Sequence, residues 1–272
     1  MAEDKKFWWI IIDREPLNGS LNMAIDEFLF QSLKSSPGTF LRFYRWKNPT
    51  VSLGYSQKME KVVDESFCRQ NGIDIVRRMT GGKLVLHHKE ITYSVSSSDN
   101  DLFTSRLKES YKLISKALIK GMEKMGLRPY LARVTPDLYK RGTLPCFSYP
   151  AQDEVEIDGK KIIGSAQKRE GNRFIQHGSI PMEDESELLR GVSLSKNSRD
   201  DVRMISLYQA LGTNISFDKA VDCFKEGMID YFRVEMSSKL FSEKERKIIE
   251  KIQAKKYSSQ EWTRERRLKK ES

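Results

Sequence analysis

The first segment with chemical potential runs Arg77-Arg78-Met79-Thr80-Gly81-Gly82-Lys83, and His87 follows it closely. Adjacent glycines permit positive φ and let a ligand approach the backbone. Their N–H groups can form a concave site for an anion or a carbonyl oxygen. A tight hairpin turn would use the same glycines, and the Gly-Lys-Ser/Thr block of a P-loop is missing. The residues alone therefore leave a ligand-binding loop and a plain turn both open.

The second segment contains Lys160-Lys161 and then Gly164-Ser165-Ala166. If the lysines belong to a strand, their side chains point to opposite faces. One of them is then turned inward, which is costly unless it meets an acyl carbonyl, a carboxylate or a phosphate. The three small residues remove bulk beside it, as a ligand groove requires. His177 and Gly178 add a second His-Gly element on the next predicted strand, although a lone histidine is often a hydrogen-bonded structural residue.

The third candidate is Cys146, which lies between Pro145 and Phe147 in a proline-rich loop. Cys68 and Cys223 lie in predicted helices beside apolar residues and are expected to fill core space. A loop cysteine close to cations can have a lowered pKa and act as a nucleophile. An idle thiol is the alternative at this position.

The composition excludes several other kinds of protein. Three cysteines and three histidines among 272 residues favour neither a disulfide scaffold nor a zinc site, so we expect no metal. The longest apolar run, Phe7–Ile12, is far shorter than the ~20 residues of a membrane span. No secretory hydrophobic region follows a basic start. We therefore expect a cytoplasmic protein without a membrane segment.

The charge is uneven along the chain. The protein carries 48 Lys and Arg against 38 Asp and Glu, a net charge of +10. Half of that excess lies in residues 242–272, which contain eleven basic residues and six glutamates. A solvated terminal helix and a surface for an acidic partner both fit this pattern. The chain has no nucleic-acid-binding signature.

The elements that must position these residues are strands in hairpin-like groups and amphipathic helices. Hydrophobic periodicity predicts strands over 7–13, 40–46, 50–55, 73–78, 83–88, 90–96, 154–157, 160–163 and 173–180, and helices over 20–33, 59–70, 105–127, 200–211, 217–233 and 242–254. The turn Lys47-Asn48-Pro49 predicts a hairpin between the strands over 40–46 and 50–55, and Ser20 is the candidate N-cap of the first helix. Few β-helix-β crossovers occur. This pattern favours an α+β fold with a mixed, largely antiparallel sheet.

Taken together, the segments resemble the lipoate–protein ligase and octanoyltransferase group of the biotin/lipoate ligase superfamily. The matching motifs are Arg-Arg-Met-Thr-Gly-Gly with His87, Thr92-Tyr93-Ser94, Asp158–Gln167, Gln176–Ile180, Gly54-Tyr55-Ser56-Gln57 and Lys256–Trp262. They follow the family order and span about residues 7 to 262. The resemblance implies a catalytic domain over residues 1–240, with residues 241–272 as a basic helical extension docked on it.

Two features make the LipM-type octanoyltransferases the most similar branch. Cys146 stands where those enzymes carry their nucleophile, and Lys83 is also similar to the transferase variant. The resemblance implies that Cys146 carries an octanoyl group as a thioester and that Lys161 polarises its carbonyl. It also implies a substrate site. The implied substrate-binding residues are Arg78, Thr80, Gly81, Gly82, His87, Gly164, Ser165, Ala166, His177 and Gly178.

The implied reaction moves octanoate from acyl carrier protein to a lysine of a lipoyl domain, without a cofactor. The acceptors would be the glycine cleavage H protein or the acyltransferase subunits of 2-oxoacid dehydrogenases. An ATP- and Mg²⁺-dependent lipoate ligase is the main alternative, in which Lys161 holds the adenylate and Cys146 is a bystander. A non-catalytic protein that binds lipoyl domains is the third.

Overall fold

The computed structural model describes residues 6–104, 106–133, 153–194 and 203–268. Its strands are β1 (Phe7–Ile12), β2 (Thr39–Tyr44), β3 (Thr50–Leu53), β4 (Asp74–Arg77), β5 (Val85–His87), β6 (Glu90–Ser97), β7 (Tyr130–Leu131), β8 (Val155–Ile157), β9 (Lys160–Lys161), β10 (Gly164–Glu170), β11 (Arg173–Pro181) and β12 (Glu235–Ser238). Its helices are α1 (Gly19–Ser32), α2 (Met59–Val62), α3 (Glu65–Gln70), α4 (Leu107–Lys124), α5 (Ser186–Val192), α6 (Leu207–Leu211), α7 (Phe217–Phe232), α8 (Glu243–Ile252) and α9 (Gln260–Glu265). A π-helical turn, Gln253–Tyr257, follows α8.

The strands form a mixed set of sheets. The largest has the order β10-β11-β6-β2-β1-β12, antiparallel from β10 to β2 and parallel from β2 to β12. A second sheet, β4-β3-β5, combines a parallel and an antiparallel pair. The third, β7-β8-β9, is antiparallel. This architecture confirms the predicted α+β class with mixed sheets.

One predicted hairpin is wrong. The turn Lys47-Asn48-Pro49 was expected to join two neighbouring strands, but β2 and β3 lie in different sheets. Both edges of β2 are already paired, one with β1 and the other with β6. The chain after β2 therefore leaves that sheet and starts the second one, which carries Arg77, Arg78 and His87.

Helix α1 packs on the large sheet, and its N-cap lies two residues before the predicted one. Asn18, rather than Ser20, is the N-cap, and its side-chain oxygen accepts a hydrogen bond of 2.8 Å from the Leu21 N–H. The apolar face of α1 shares a core with the C-terminal segment, where Ile249, Tyr257 and Trp262 are buried. Residues 249–262 thus pack directly on the helix that supplies part of the site.

Helices α4 and α7 pack against each other with an unusually close approach. A Cβ atom on Gly227 would lie 2.3 Å from the backbone nitrogen of Gly121, so glycine is required at this crossing. Among the helices within the described ranges, none is long and apolar enough to cross a bilayer.

Candidate active site

Arg78 shapes the glycine loop from inside the protein. Its guanidinium is 3% exposed and donates to the carbonyl oxygens of Gly81 (2.8 Å) and Lys83 (2.7 Å). It also donates to the carbonyl oxygen of Ser52 at 2.8 Å. The buried guanidinium of Arg78 therefore holds the loop after β4 through hydrogen bonds to backbone carbonyl oxygens.

The glycines of this loop are needed for close packing as well as for backbone conformation. Gly82 has φ +89°, a region that L side chains rarely adopt. A Cβ atom on Gly54 would lie 2.0 Å from the Gly82 carbonyl oxygen. The N–H of Tyr55 donates to the Thr80 carbonyl at 2.8 Å. The loop is thus pressed against the segment after β3, which places the carbonyls and leaves Gly81 exposed.

His177 lies in β11 between a carboxylate and a hydroxyl. Its Nδ1 is 3.0 Å from Asp26 Oδ2, and its Nε2 is 2.6 Å from Thr80 Oγ1. Burial lowers the pKa of His177 and outweighs the opposing effect of Asp26. We therefore assign a neutral ring in which Nδ1–H donates to Asp26 and Nε2 accepts from the Thr80 hydroxyl.

Asp26 is balanced by a buried arginine. Burial acts to raise the pKa of Asp26, but the hydrogen bond from His177 and the charge of Arg42 outweigh it and lower the pKa. Arg42 Nη1 donates to Asp26 Oδ1 at 3.0 Å, and the hydroxyls of Tyr44 and Ser94 also donate to this carboxylate, at 3.0 and 2.9 Å. The carboxylate that orients His177 is therefore fully hydrogen-bonded.

His87, at the end of β5, has a matching arrangement. Its Nδ1 is 2.7 Å from Glu90 Oε1 and its Nε2 is 2.7 Å from Ser52 Oγ. The ring stacks on Trp46 with centroids 4.0 Å apart and planes at 13°. The hydroxyls of Thr92 and Ser179 donate to Glu90. Stacking and hydrogen bonds together fix the orientation of this imidazole.

The small residues predicted to form a groove belong to a strand that the sequence did not reveal. Gly164, Ser165 and Ala166 open β10 and pair with β11, with Ser165 opposite Gly178 and Ala166 opposite His177. A Cβ atom on Gly178 would lie 2.5 Å from Ser165 Oγ. Glycine and serine have low strand propensity, and the ladder to β11 decides the conformation here.

A small cavity lies between these elements. It combines an apolar wall with histidine and hydroxyl groups, as expected for a small-molecule site. Its lining residues are Met23, Tyr44, Trp46, Ser52, Arg78, Val85, His87, Thr92, Gly164, Ser165, Ala166, His177, Gly178 and Ser179. The structure thus brings most of the predicted substrate-binding residues to one cavity, while Thr80, Gly81 and Gly82 adjoin it through His177 and Arg78.

Lys161 is the inward-facing lysine that the strand pattern predicted. It is completely buried, whereas Lys160 is exposed. Its ammonium group lies 2.7 Å from Glu154 Oε2. The backbone N–H of Lys161 donates to the Arg203 carbonyl at 2.8 Å, and the Lys161 carbonyl accepts from the Ile205 N–H at 3.0 Å. Lys161 ends β9 just before β10 begins, so a buried cation precedes the cavity wall formed by Gly164–Ala166.

Cys146 lies outside the described residues. The two cysteines within them fill core space, as predicted: Cys68 is 1% and Cys223 is 5% exposed. Burial raises the pKa of Cys68 to about 11 and also raises the pKa of Cys223. A low thiolate content makes both of these thiols poor nucleophiles.

No group of three or more potential metal-ligating side chains occurs within the described ranges. The expectation of a metal-free site remains a prediction, because residues 134–152 and 195–202 are not covered by this finding.

Sequence reasoning missed the groups that hold the histidines and the lysine in place. These are Asp26, Arg42, Glu90 and Glu154, all of them buried. A signal existed for Asp26, because Asn22 and Asp26 place two polar side chains one turn apart in a largely apolar helix. Glu90 and Glu154 stand at strand ends, where a charged residue looks solvent-exposed until the tertiary fold is known.

Comparisons with known proteins give the same family as the motifs. Residues 18–229 match the family model of the lipoyl protein ligase A/B catalytic domain. The octanoyltransferase LipM of Carboxydothermus hydrogenoformans is 35% identical over 266 residues, covering 93% of this chain and 97% of that relative. The octanoyltransferase LipM of Geobacillus kaustophilus is 33% identical over 270 residues, with the same coverage.

Solved structures share the fold. The bipartite lipoate protein ligase of Thermoplasma acidophilum superimposes with a TM-score of 0.81 at 22% identity, covering 97% of this chain and 99% of that one. A lipoate-protein ligase A bound with ATP gives a TM-score of 0.79 at 23% identity, covering 95% and 98% of the two chains. The resemblance drawn from the motifs is confirmed, and the chain belongs to the lipoyl protein ligase A/B catalytic domain family.

Proposed function

We propose that this protein is an octanoyltransferase of protein lipoylation that works through a thioester on Cys146. The observation that carries the proposal is the similarity to LipM octanoyltransferases, which extends over 93% of the chain at 31–35% identity. A lipoyl-domain lysine is the acceptor that this activity requires. We further propose acyl carrier protein as the donor of the octanoyl group. The candidate acceptors are the glycine cleavage H protein and the acyltransferase subunits of the dehydrogenases.

In the proposed first step, the Cys146 thiolate attacks the carbonyl carbon of the octanoyl thioester. The new C–S bond forms, the bond to the carrier sulfur breaks, and the carrier leaves as a thiolate that takes up a proton. In the second step, the neutral ε-amine of the acceptor lysine attacks the enzyme thioester. An amide forms, the amine loses a proton to water, and the Cys146 thiolate is regenerated.

Lys161 supports both steps in this proposal. Negative charge develops on the acyl oxygen in each transition state, and we assign its stabilisation to Lys161, the buried cation that precedes Gly164 by three residues in the chain. In this proposal the charge of Lys161 also favours the thiolate form of Cys146. Because the acyl group is already activated as a thioester, the reaction as proposed needs neither ATP nor a bound cofactor.

The apolar side of the cavity suits an alkyl chain. Met23, Tyr44, Trp46 and Val85 line it, and each buried CH₂ of an acyl chain contributes about 0.8 kcal/mol. His177 and His87 border the same cavity and are already engaged by carboxylates and hydroxyls. We assign both histidines to shaping and hydrogen-bonding the pocket.

The test is the intact mass of the protein after mixing with octanoyl-acyl carrier protein in the absence of ATP. We expect a gain of one octanoyl group, which is lost in Cys146→Ala and retained in the matched controls Cys68→Ala and Cys223→Ala. The double variant Lys161→Met/Glu154→Gln removes the buried ion pair without leaving a lone charge, and we expect it to load about 10²-fold more slowly. A protein that forms no adduct but binds an acyl-adenylate once Mg-ATP is supplied would instead be a ligase.

A further inference from the structure

A regular row of lysines runs along the solvent side of α4. Lys108, Lys112, Lys116, Lys120 and Lys124 are spaced by four residues and are all exposed. Residues at this spacing lie about 6 Å apart along a helix and remain neighbours on its surface. We call these five residues the lysine row.

The two ends of the lysine row differ in charge balance. At the C-terminal end, Lys124 lies 2.7 Å from Asp230 and 3.5 Å from Glu226, both of α7. Lys120 pairs with Glu123 at 2.8 Å. This end is neutralised by its own surroundings.

The N-terminal end keeps its positive charge. Lys108 and Lys112 share a single carboxylate, that of Asp153, at 3.5 and 3.7 Å. Lys116 has no acidic partner within ion-pair distance among the described residues. Arg169 of β10 adds a further cation, because its Nη2 donates to Ser110 Oγ on the same helix at 2.8 Å.

This charged end contacts two segments that lead to the candidate active site. Asp153 pairs with Lys108 and Lys112 and precedes Glu154, whose carboxylate pairs with Lys161. Arg169 lies near the end of β10, the strand that begins with Gly164, Ser165 and Ala166. The excess positive charge on α4 therefore lies beside the far end of the strand whose beginning forms the cavity wall.

We propose that Lys108, Lys112 and Lys116 form the docking surface for an acidic helical face of the octanoyl donor, an acyl carrier protein. The inference rests on the proposed function and goes beyond it by assigning the surface. Cations about 6 Å apart along one side of a helix can pair with carboxylates at a similar spacing on a partner helix. Opposite charges on the two faces also accelerate encounter, and salt screens this effect.

The position of the surface favours the donor over the acceptor. A carrier presents its acyl group at the end of a long flexible arm, so its body can dock beside the site rather than at it. An acceptor lysine sits on the lipoyl domain itself and must be brought to the cavity mouth. A surface on the outer side of α4 satisfies the first requirement.

The chain offers a matched control on another helix. Lys244, Lys247 and Lys251 are exposed on α8, which packs on α1. Replacing either set of three lysines by glutamate changes the net charge of the protein by the same amount. A difference between the two triple variants therefore reports where the charge lies.

The experiment measures the rate of Cys146 thioester formation with two donors, octanoyl-acyl carrier protein and octanoyl-pantetheine. For Lys108→Glu/Lys112→Glu/Lys116→Glu we expect KM for the carrier to rise at least about tenfold at low salt, with the pantetheine rate unchanged. The α8 triple variant should stay within about twofold of the wild type for both donors. Lys→Gln changes at the α4 positions should give a smaller increase in KM, and raising the salt concentration should narrow the difference from wild type.

Several outcomes would overturn the assignment. Equal effects of the α4 and α8 variants would show that only the net charge of the protein matters. An unchanged KM for the carrier in the α4 variant would show that these three lysines do not bind it. A raised KM for the lipoyl domain alone would transfer the surface to the acceptor. A wild-type protein that loads from neither donor would overturn the proposed function and this inference together. An α4 variant with normal pantetheine loading is folded, so loss of structure cannot produce the expected result.

Discussion

His177 and His87 border the same cavity with the same local arrangement, a carboxylate at Nδ1 and a hydroxyl at Nε2, but their carboxylates differ in charge balance. Asp26, which holds His177, is paired with the permanent cation Arg42. Glu90, which holds His87, accepts hydrogen bonds from hydroxyls. Among the described residues, His87 is the one basic side chain within ion-pair distance of Glu90.

The difference shows how one motif can be built into the core in two ways. On the His177 side, Arg42 balances part of the negative charge of Asp26, and burial keeps the imidazole a neutral hydrogen-bonding group. On the His87 side, orientation depends on the Trp46 stack and on Ser52, which also accepts from Arg78 at 3.0 Å. His177 is therefore held chiefly through the ion pair between Asp26 and Arg42. His87 is held chiefly by ring stacking and hydrogen bonds.

The strongest way to break this comparison is to remove the cation of the His177 side. Arg42→Leu leaves the buried carboxylate of Asp26 and the half-buried carboxylate of Asp13 without their shared guanidinium. Breaking a buried ion pair from one side typically costs 3–5 kcal/mol, and we expect about 5 kcal/mol here. Urea unfolding followed by fluorescence measures the change, and a loss below about 2 kcal/mol would show that Arg42 does not carry the support.

Neutralising each carboxylate in turn sharpens the comparison. Asp26→Asn replaces one of the two oxygens that accept four hydrogen bonds and removes the charge that pairs with Arg42. It should destabilise the fold by about 3 kcal/mol, less than Arg42→Leu because Asp13 still balances Arg42. Glu90→Gln also replaces one oxygen, but it removes no partner of an arginine and should cost about 1 kcal/mol. The same unfolding measurement on both variants tests the ranking, and equal losses would contradict it.

The sequence predicted the residues that line the site better than the buried charged residues that hold them in place. Arg78, His87, His177 and the small residues of 164–166 were identified because glycine, histidine and adjacent lysines are conspicuous in a short segment. The alternation rule also required one of Lys160 and Lys161 to face inward, and the structure shows that it is Lys161. These inferences need only local spacing, and the structure assembles most of the named residues around one cavity.

The support from Asp26 escaped prediction because it acts over a long sequence separation. Glu90 lies only three residues from His87, and it escaped because its burial depends on the tertiary fold. Asp26 meets His177 across 151 residues, and Arg77 reaches the Thr263 carbonyl across 186. The false hairpin between β2 and β3 has the same origin. A local turn signal cannot show that β1 and β6 already occupy both edges of β2. Pairing between distant segments decided these features, and no single window of sequence contains it.

Titration gives a further test of the neutral His177. Because burial lowers its pKa below the ordinary value near 6.5, the unfolded chain binds a proton that the folded chain does not. Stability should therefore fall as the pH drops below about 6.5, with His177 contributing up to about 1.4 kcal/mol per pH unit. His177→Gln should lose that contribution, so its unfolding free energy should depend less on pH between 6.5 and 5.5. Parallel pH profiles would show that folding does not lower the pKa of His177.

The two hydroxyls at Nε2 should give the smallest effects and the finest comparison. Thr80→Val is nearly isosteric and removes one hydrogen bond, to His177, at an expected cost of about 1 kcal/mol. Ser52→Ala removes the bonds to both His87 and Arg78, and should cost somewhat more, about 2 kcal/mol. Because Arg78 also holds the Gly81 and Lys83 carbonyls, only Ser52→Ala should loosen the glycine loop as well. Hydrogen exchange of the amides of residues 80–83 separates the two cases, since faster exchange in Thr80→Val alone would place the control of the loop on the His177 side.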